Sequence, residues 1–319
     1  MVRVLVRRML FCALLIVFSS SAALLLTRLA PGDLTLNLRQ FPTSDEIAAA
    51  RRRFALDQPA GVQWAHWAVT AARLDFGESF LYNRPVAPLV MQRAGNTAIL
   101  AVSALLLATV TGVGLGIVTG SGRPGVFPAL IRGGSIAAVS LPPLLTSLGL
   151  LVVAARTDWF ARGGMSTLDA SASWAAWALD VARHLPVPAL ALALPIAATF
   201  ERLQSAALQE QVHQPFVLAA AARGVPPASL ILRHAWPVSW RGVAGVYGLA
   251  AGSLLSGSFV VEFVTAWPGL GRLMYDALAA RDIYLVAGCA AVGAALLSVG
   301  MMIGDLLLLA VDPRAGETA

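Results

Sequence analysis

The sequence predicts an all-α, polytopic membrane protein, and three observations carry that prediction. Of 319 residues, 58% are hydrophobic and only 13% charged, with a mean hydropathy of +0.74, far from the usage of a soluble domain. Six intervals carry no Asp, Glu, Lys or Arg: 9–27, 94–122, 133–155, 184–200, 242–261 and 283–304. An α-helix needs about 20 apolar residues to cross ~30 Å of hydrocarbon, and the segments of ~10 alternating residues that build a closed β-barrel are not what these runs contain.

Taken in order, the first interval follows Arg3, Arg7 and Arg8. That pattern also opens secretory signals, but the run is long for a signal and five more spans follow. Between spans one and two, Thr43 and Glu46 form a capping-box pattern that predicts a helix through about Phe54. Trp64 to Arg73 reads as a second, amphipathic helix, with Trp64 and Trp67 as interfacial anchors. Span two holds Gly112, Gly114, Gly116 and Gly120, and span five holds Gly242, Gly245, Gly248, Gly252 and Gly257. Small residues let helices approach closely in lipid, so these two are expected inside a bundle. The interval 184–200 is the shortest and carries Pro186, Pro188 and Pro195. Asp158, Asp169, Asp180, Glu262, Asp276 and Asp282 are interleaved with Arg and read as solvated faces. Glu262 and Asp305 fall at span ends, within reach of interfacial water, while Cys12 and Cys289 fall inside spans as small hydrophobes.

All 23 basic residues are Arg. With a cytoplasmic N-terminus, the inner segments hold ten Arg, among them Arg123, Arg132, Arg202, Arg223, Arg233 and Arg241, against five acids, and the outer segments thirteen against twelve. The positive excess therefore favours both termini on the cytoplasmic side. The pI of about 10.3 is a topology signal whose counter-charge is anionic lipid rather than nucleic acid.

Gln214 to Pro237 is a basic stretch punctuated by helix breakers. Pro215 suits the first turn of a short helix over Phe216 to Arg223, and Gly224 supplies a left-handed residue that stops it. Pro226 and Pro227 start a second short helix over Ala228 to His234. Ala219 to Ala222 form a small-residue face, with Phe216, Val217 and Arg223 projecting beyond it. Such a knob fits a partner's groove; it also fits an interfacial helix lying on the inner leaflet.

These residues resemble a known family. Ala219-Ala220-x-x-x-Gly224, with Pro237 thirteen residues beyond the glycine, is similar to the EAA loop of bacterial ABC importer permeases. The dipeptide/oligopeptide/nickel subfamily is resembled along nearly the whole chain: Pro31-Gly32-Asp33, Leu56-Asp57-Gln58-Pro59, Asp75-Phe76-Gly77-Glu78-Ser79, Asn96-Thr97, His234-Ala235, Val261-Glu262, Trp267-Pro268-Gly269-Leu270-Gly271, Arg281-Asp282 and Asp312-Pro313-Arg314. Leu218 stands where the motif's Glu is usual, and Pro215-Phe216 where Asp-Tyr is.

The resemblance implies a type I ABC importer permease fold. Its parts would be an N-terminal span (1–30), an extracytoplasmic cap (31–93), a core (94–310) with its coupling loop at 202–241, and a cytoplasmic tail (311–319). It implies a multi-pass protein of the bacterial inner membrane that moves peptides or a related solute such as a nickel chelate. The implied partners are a second homologous permease, two ATP-binding subunits that hold ATP and Mg, an extracytoplasmic substrate-binding protein and membrane lipids. Phe216, Ala219, Ala220, Arg223, Gly224 and His234 would couple to the ATPase, while Glu262, Trp267 and Gly269 would serve the pore or its gate; no residue would be catalytic or bind a metal. Independently, a phosphate loop G-x-x-x-x-G-K-[ST] needs a Lys, and the chain has none. The chain is therefore not expected to be an enzyme by itself.

The main rival is an ion-coupled secondary transporter, which would place ionisable residues near the midplane; the six intervals hold no Asp, Glu or Arg. An intramembrane Ser–His hydrolase is disfavoured because His66, His213 and His234 lie in expected loops.

Overall fold

The computed structural model describes residues 2–29, 57–122, 124–167 and 173–311. Its helices are α1 (Val2–Leu29), α2 (Ala60–Ala71), α3 (Val86–Gly120), α4 (Val126–Ser140), α5 (Pro143–Thr157), α6 (Trp174–His184) and α7 (Pro186–Val212). They continue as α8 (Pro215–Ala222), α9 (Pro227–Ser229), α10 (Trp236–Val264), α11 (Leu270–Ala279) and α12 (Ile283–Val311). A two-residue antiparallel hairpin, β1 (Glu78–Ser79) with β2 (Arg84–Pro85), interrupts the helical order. The helix expected over Thr43 to Phe54, Asp169, and the motifs Pro31-Gly32-Asp33 and Asp312-Pro313-Arg314 lie outside the described residues.

The fold is that of an all-α, polytopic, multi-pass membrane protein. α1, α3, α7 and α12 are each long and apolar enough to span, as is the continuous helical run Pro227–Val264 that contains α10. The third expected span, 133–155, is a bent pair: α4 and α5 meet at 111°. The cause is Pro142-Pro143, which removes two backbone donors and pushes Leu141 to an extended φ of −86° and ψ of 118°.

The expected boundary of span four also moves. Pro186 and Pro188 sit in the first turn of α7, where a missing N–H is tolerated, and the helix runs on past Phe200 to Val212. Glu201 does not end it, because its side chain is buried.

The chain divides into two compact units, 99–267 with 299–319, and 2–98 with 268–298. In the first, α7 packs against α4, α5 and α10. Its core gathers Leu100, Ile196, Phe200, Val243, Tyr247, Leu254 and Trp267. Phe200 stacks on Tyr247 at 5.6 Å between centroids, and the Tyr247 hydroxyl meets Thr109 Oγ1 at 2.8 Å.

Glycine decides how closely these helices meet. A Cβ added at Gly112 would lie 2.5 Å from Ala197 O, at Gly116 2.7 Å from Gln204 Cβ, and at Gly120 2.8 Å from Ser205 O. α3 and α7 therefore touch along a stripe spaced by four residues, the small-residue packing expected in lipid. Gly114 faces open space. On α10, Gly248 packs against Gly304 of α12, while Gly245 faces open space.

In the second unit, Trp67 joins Leu24, Phe76, Val86 and Leu285 in the core, and its indole donates to Phe76 O at 3.2 Å. It is a core residue, not an interfacial anchor. Trp64 is half-buried and donates to Ser21 Oγ at 2.8 Å. Asp282 is likewise no solvated face: it is buried and accepts from Ser79 Oγ at 2.6 Å, from Leu81 N at 3.0 Å and from Leu285 N at 3.1 Å. One carboxylate thus caps α12 and holds the hairpin. In the first unit, Glu262 is fully buried rather than within reach of interfacial water.

Candidate functional site

The loop between α7 and α10 is rooted by a small apolar cluster. Leu208 of α7, Val217 of α8 and Ala235 are buried together, with Ile117, Val212, Leu230, Ile231 and Trp236 packed around them. Gln214 is extended and Pro215 opens α8, as its fixed φ and missing donor favour. Gly224 adopts φ +83°, and Gly224 N and Val225 N close the helix end on Ala221 O and Ala220 O at 2.9 and 3.3 Å. Pro226 and Pro227 then start α9, which runs through a π-helical stretch, Leu230–Ala235, directly into α10. The loop is a rigid corner continuous with a spanning helix.

The expected coupling residues divide by exposure. Phe216 (42%), Ala219, Arg223 and Gly224 face outward, whereas Ala220 is buried and His234 is half-buried with Nδ1 3.3 Å from Ser229 O. Val217, expected to project, turns inward, because α8 must bury one side chain per turn to stay attached. Sequence reasoning missed two exposed apolar residues, Leu218 (56%) and Leu232 (50%). The loop thus exposes the apolar Phe216, Leu218 and Leu232 as well as Arg223 and Arg233.

A polar layer lies deeper on α7. Thr119 Oγ1 donates to Glu201 Oε1 at 2.5 Å, and Gln204 Nε2 donates to Ser239 Oγ at 2.7 Å. Glu201, Gln204, Ser205 and Leu208 are all buried and follow Phe200 at helical spacing. That spacing was the available signal; reading Glu201 as the start of a loop concealed it.

The residues expected at a pore or gate lie in or beside the packed helices. Trp267 is fully buried in the first unit's core, after Ala266 at φ +55°. Gly269 is the N-cap of α11. Within the second unit, Asn96 Nδ2 donates to Pro268 O at 2.8 Å and Leu270 N donates to Thr97 Oγ1 at 2.7 Å, so two separated sequence motifs form one clamp. Glu262 and Trp267 are both fully buried in the first unit.

On α6, outside the spanning helices, Asp180 accepts from Ser166 Oγ and Thr167 N, both at 2.7 Å. The Ser166 hydroxyl, then the Thr167 amide, hold its carboxyl below the ordinary value of 3.8. A depressed Asp stabilises the folded segment above its ordinary value, and that contribution is lost as pH falls through the lowered one. Asp180→Asn is expected to speed amide exchange at Thr167 at pH 7, with the difference shrinking in acid; equal exchange at pH 7, read by deuterium uptake, would remove this role.

Residues 112–317 match the family model described as binding-protein-dependent transport system inner membrane component. A Brucella suis protein named "Putative peptide permease protein" is 30% identical over 298 residues, covering 92% of each chain. The oligopeptide transport system permease protein AppB of Bacillus subtilis is 27% identical, covering 97% of this chain and 98% of its own.

Proposed function

The chain belongs to the family of binding-protein-dependent transport system inner membrane components, and from that premise we propose that it is the permease subunit of an ATP-driven peptide importer. Peptide is preferred to nickel chelate because the similar proteins carry peptide and oligopeptide names. The observation that carries the mechanism is the loop: an outward apolar knob, Phe216, Leu218 and Leu232, on a buried root of Leu208, Val217 and Ala235. Such a knob seats in a partner groove with Arg at the rim.

In this reading the loop is cytoplasmic, as are both termini. Two ATPase subunits bind ATP and Mg and grip α8, a second homologous permease completes the path, and an extracytoplasmic binding protein delivers solute. The continuous run from α9 into α10 lets the ATPase act on a spanning helix without a slack linker. A shift of the permease from 1:99 to 99:1 needs about 5.5 kcal/mol of differential affinity. Phe216→Glu is expected to abolish co-purification of ATPase subunits with the detergent-solubilised protein. Retention of those subunits by the variant would sink the knob's role.

One observation favours a second reading. Glu201 and Glu262 are buried acids within long apolar helices, the kind of residue an ion-coupled secondary transporter uses. Uptake by the lone chain that follows a proton gradient and ignores ATP would establish that reading.

A further inference from the structure

Thr119 joins two opposite charges that do not pair with each other. Its hydroxyl donates to Glu201 Oε1 at 2.5 Å, and its carbonyl accepts from Arg132 Nη2 at 2.7 Å. The Glu201 side chain is 1% exposed, and its second oxygen, Oε2, has no hydrogen-bond partner. A buried carboxylate oxygen left without a donor is costly, and such groups mark functional positions in membrane spans. Glu201 also lines a cavity of about 610 Å³ together with Arg132, Arg202 and Gln209. That volume falls in the ~300–1,000 Å³ range of small-molecule sites.

We propose that this cavity is a transient site for a zwitterionic solute, whose ammonium group bonds to Glu201 and whose carboxylate bonds to Arg132 and Arg202. An ammonium carries three donors and a carboxylate only acceptors, which matches a lining that combines the Glu201 carboxylate with the guanidinium forks of Arg132 and Arg202. Arg132 uses one of its donors on Thr119 and keeps the others for a ligand. The remaining lining is apolar or small apart from the hydroxyls of Thr199 and Ser205, so the charged contacts fall to the ends common to all short peptides. Among the described residues no three His, Cys, Asp or Glu gather, so the lining suits an organic dipole and not a bare metal ion. Glu201 lies fifteen residues past Pro186, about 22 Å along α7 at 1.5 Å per residue, in the half of the span nearer the loop.

The proposal rests on the peptide-importer reading. Its test uses the complete transporter with its partner subunits in vesicles for uptake, and the solubilised complex without binding protein for saturation-transfer NMR, with alanyl-alanine as the probe in both. Glu201→Gln keeps the bond to Thr119 but loses the charge; it is expected to lower uptake at least tenfold and to abolish the NMR contact, with an unchanged apparent melting temperature. Glu201→Asp is expected to restore part of both. Wild-type behaviour of Glu201→Gln in both measurements overturns the site. So does a loss of uptake with the contact retained, which would make Glu201 a packing element. A wild-type complex that hydrolyses ATP yet moves no peptide overturns the importer reading instead, and shows it without any variant.

Discussion

Replacing Gly224 with Val is expected to disconnect ATP hydrolysis from uptake, lowering solute moved per ATP at least tenfold in reconstituted vesicles. Gly224 stands at φ +83° and a Cβ there would meet nothing within 4 Å, so the effect lies entirely in the backbone. A left-handed conformation costs an L-residue roughly 1–2 kcal/mol, and a β-branched one more. Relief of that strain by a rotation of α8 relative to α9 is expected to move Phe216 and Leu218 out of the position the proposed partner contact needs. A tenfold loss corresponds to about 1.4 kcal/mol, within reach of that strain. The substitutions should order as Asn, Ala, Val from mildest to most severe, because Asn tolerates the left-handed region best. Normal coupled uptake by Gly224→Val at normal abundance would remove this loop from the coupling role.

Gly304→Ala is expected to lower the apparent melting temperature of the solubilised protein, while Gly248→Ala is nearly silent. The two glycines face each other, yet the space is unequal. A Cβ at Gly304 would lie 2.4 Å from Gly248 N and 2.5 Å from Gly248 Cα, both backbone atoms, whereas one at Gly248 would meet Met301 O at an ordinary 3.5 Å. Overpacking of this kind costs about 1–3 kcal/mol, and backbone cannot swing aside as a side chain can. Gly112→Ala belongs with Gly304→Ala, since its Cβ would meet Ala197 O at 2.5 Å, and Gly114→Ala, with nothing in reach, is the control. Equal melting temperatures for Gly112→Ala and Gly114→Ala would show that the α3–α7 contact is not backbone-close.

Much of this was legible from residues alone. The apolar intervals marked six membrane segments because burying a charge in hydrocarbon is costly, and Pro215, Gly224 and Pro226 marked the loop's corners because each restricts φ in its own way. The bend between α4 and α5 was also written in Pro142-Pro143, but an uninterrupted run free of charge concealed it. The direction of Val217 was not legible, because a short helix of apolar and small residues has no clear face until a neighbour supplies one; Leu208 and Ala235 did so.

The amino-acid sequence by itself determined that this protein lies in a membrane, which segments are apolar enough to enter it, and where a glycine and prolines turn its exposed loop. Those properties follow from the transfer of single residues and from local dihedral limits, which need no partner. The tertiary structure alone decided that Glu201 is buried on Thr119, that Asp282 holds a hairpin 203 residues away, and that Gly304, not Gly248, is the tight side of their crossing. Hydrogen bonding and packing depend on which atoms meet across the fold, and charge or size along one strand of sequence does not say which will.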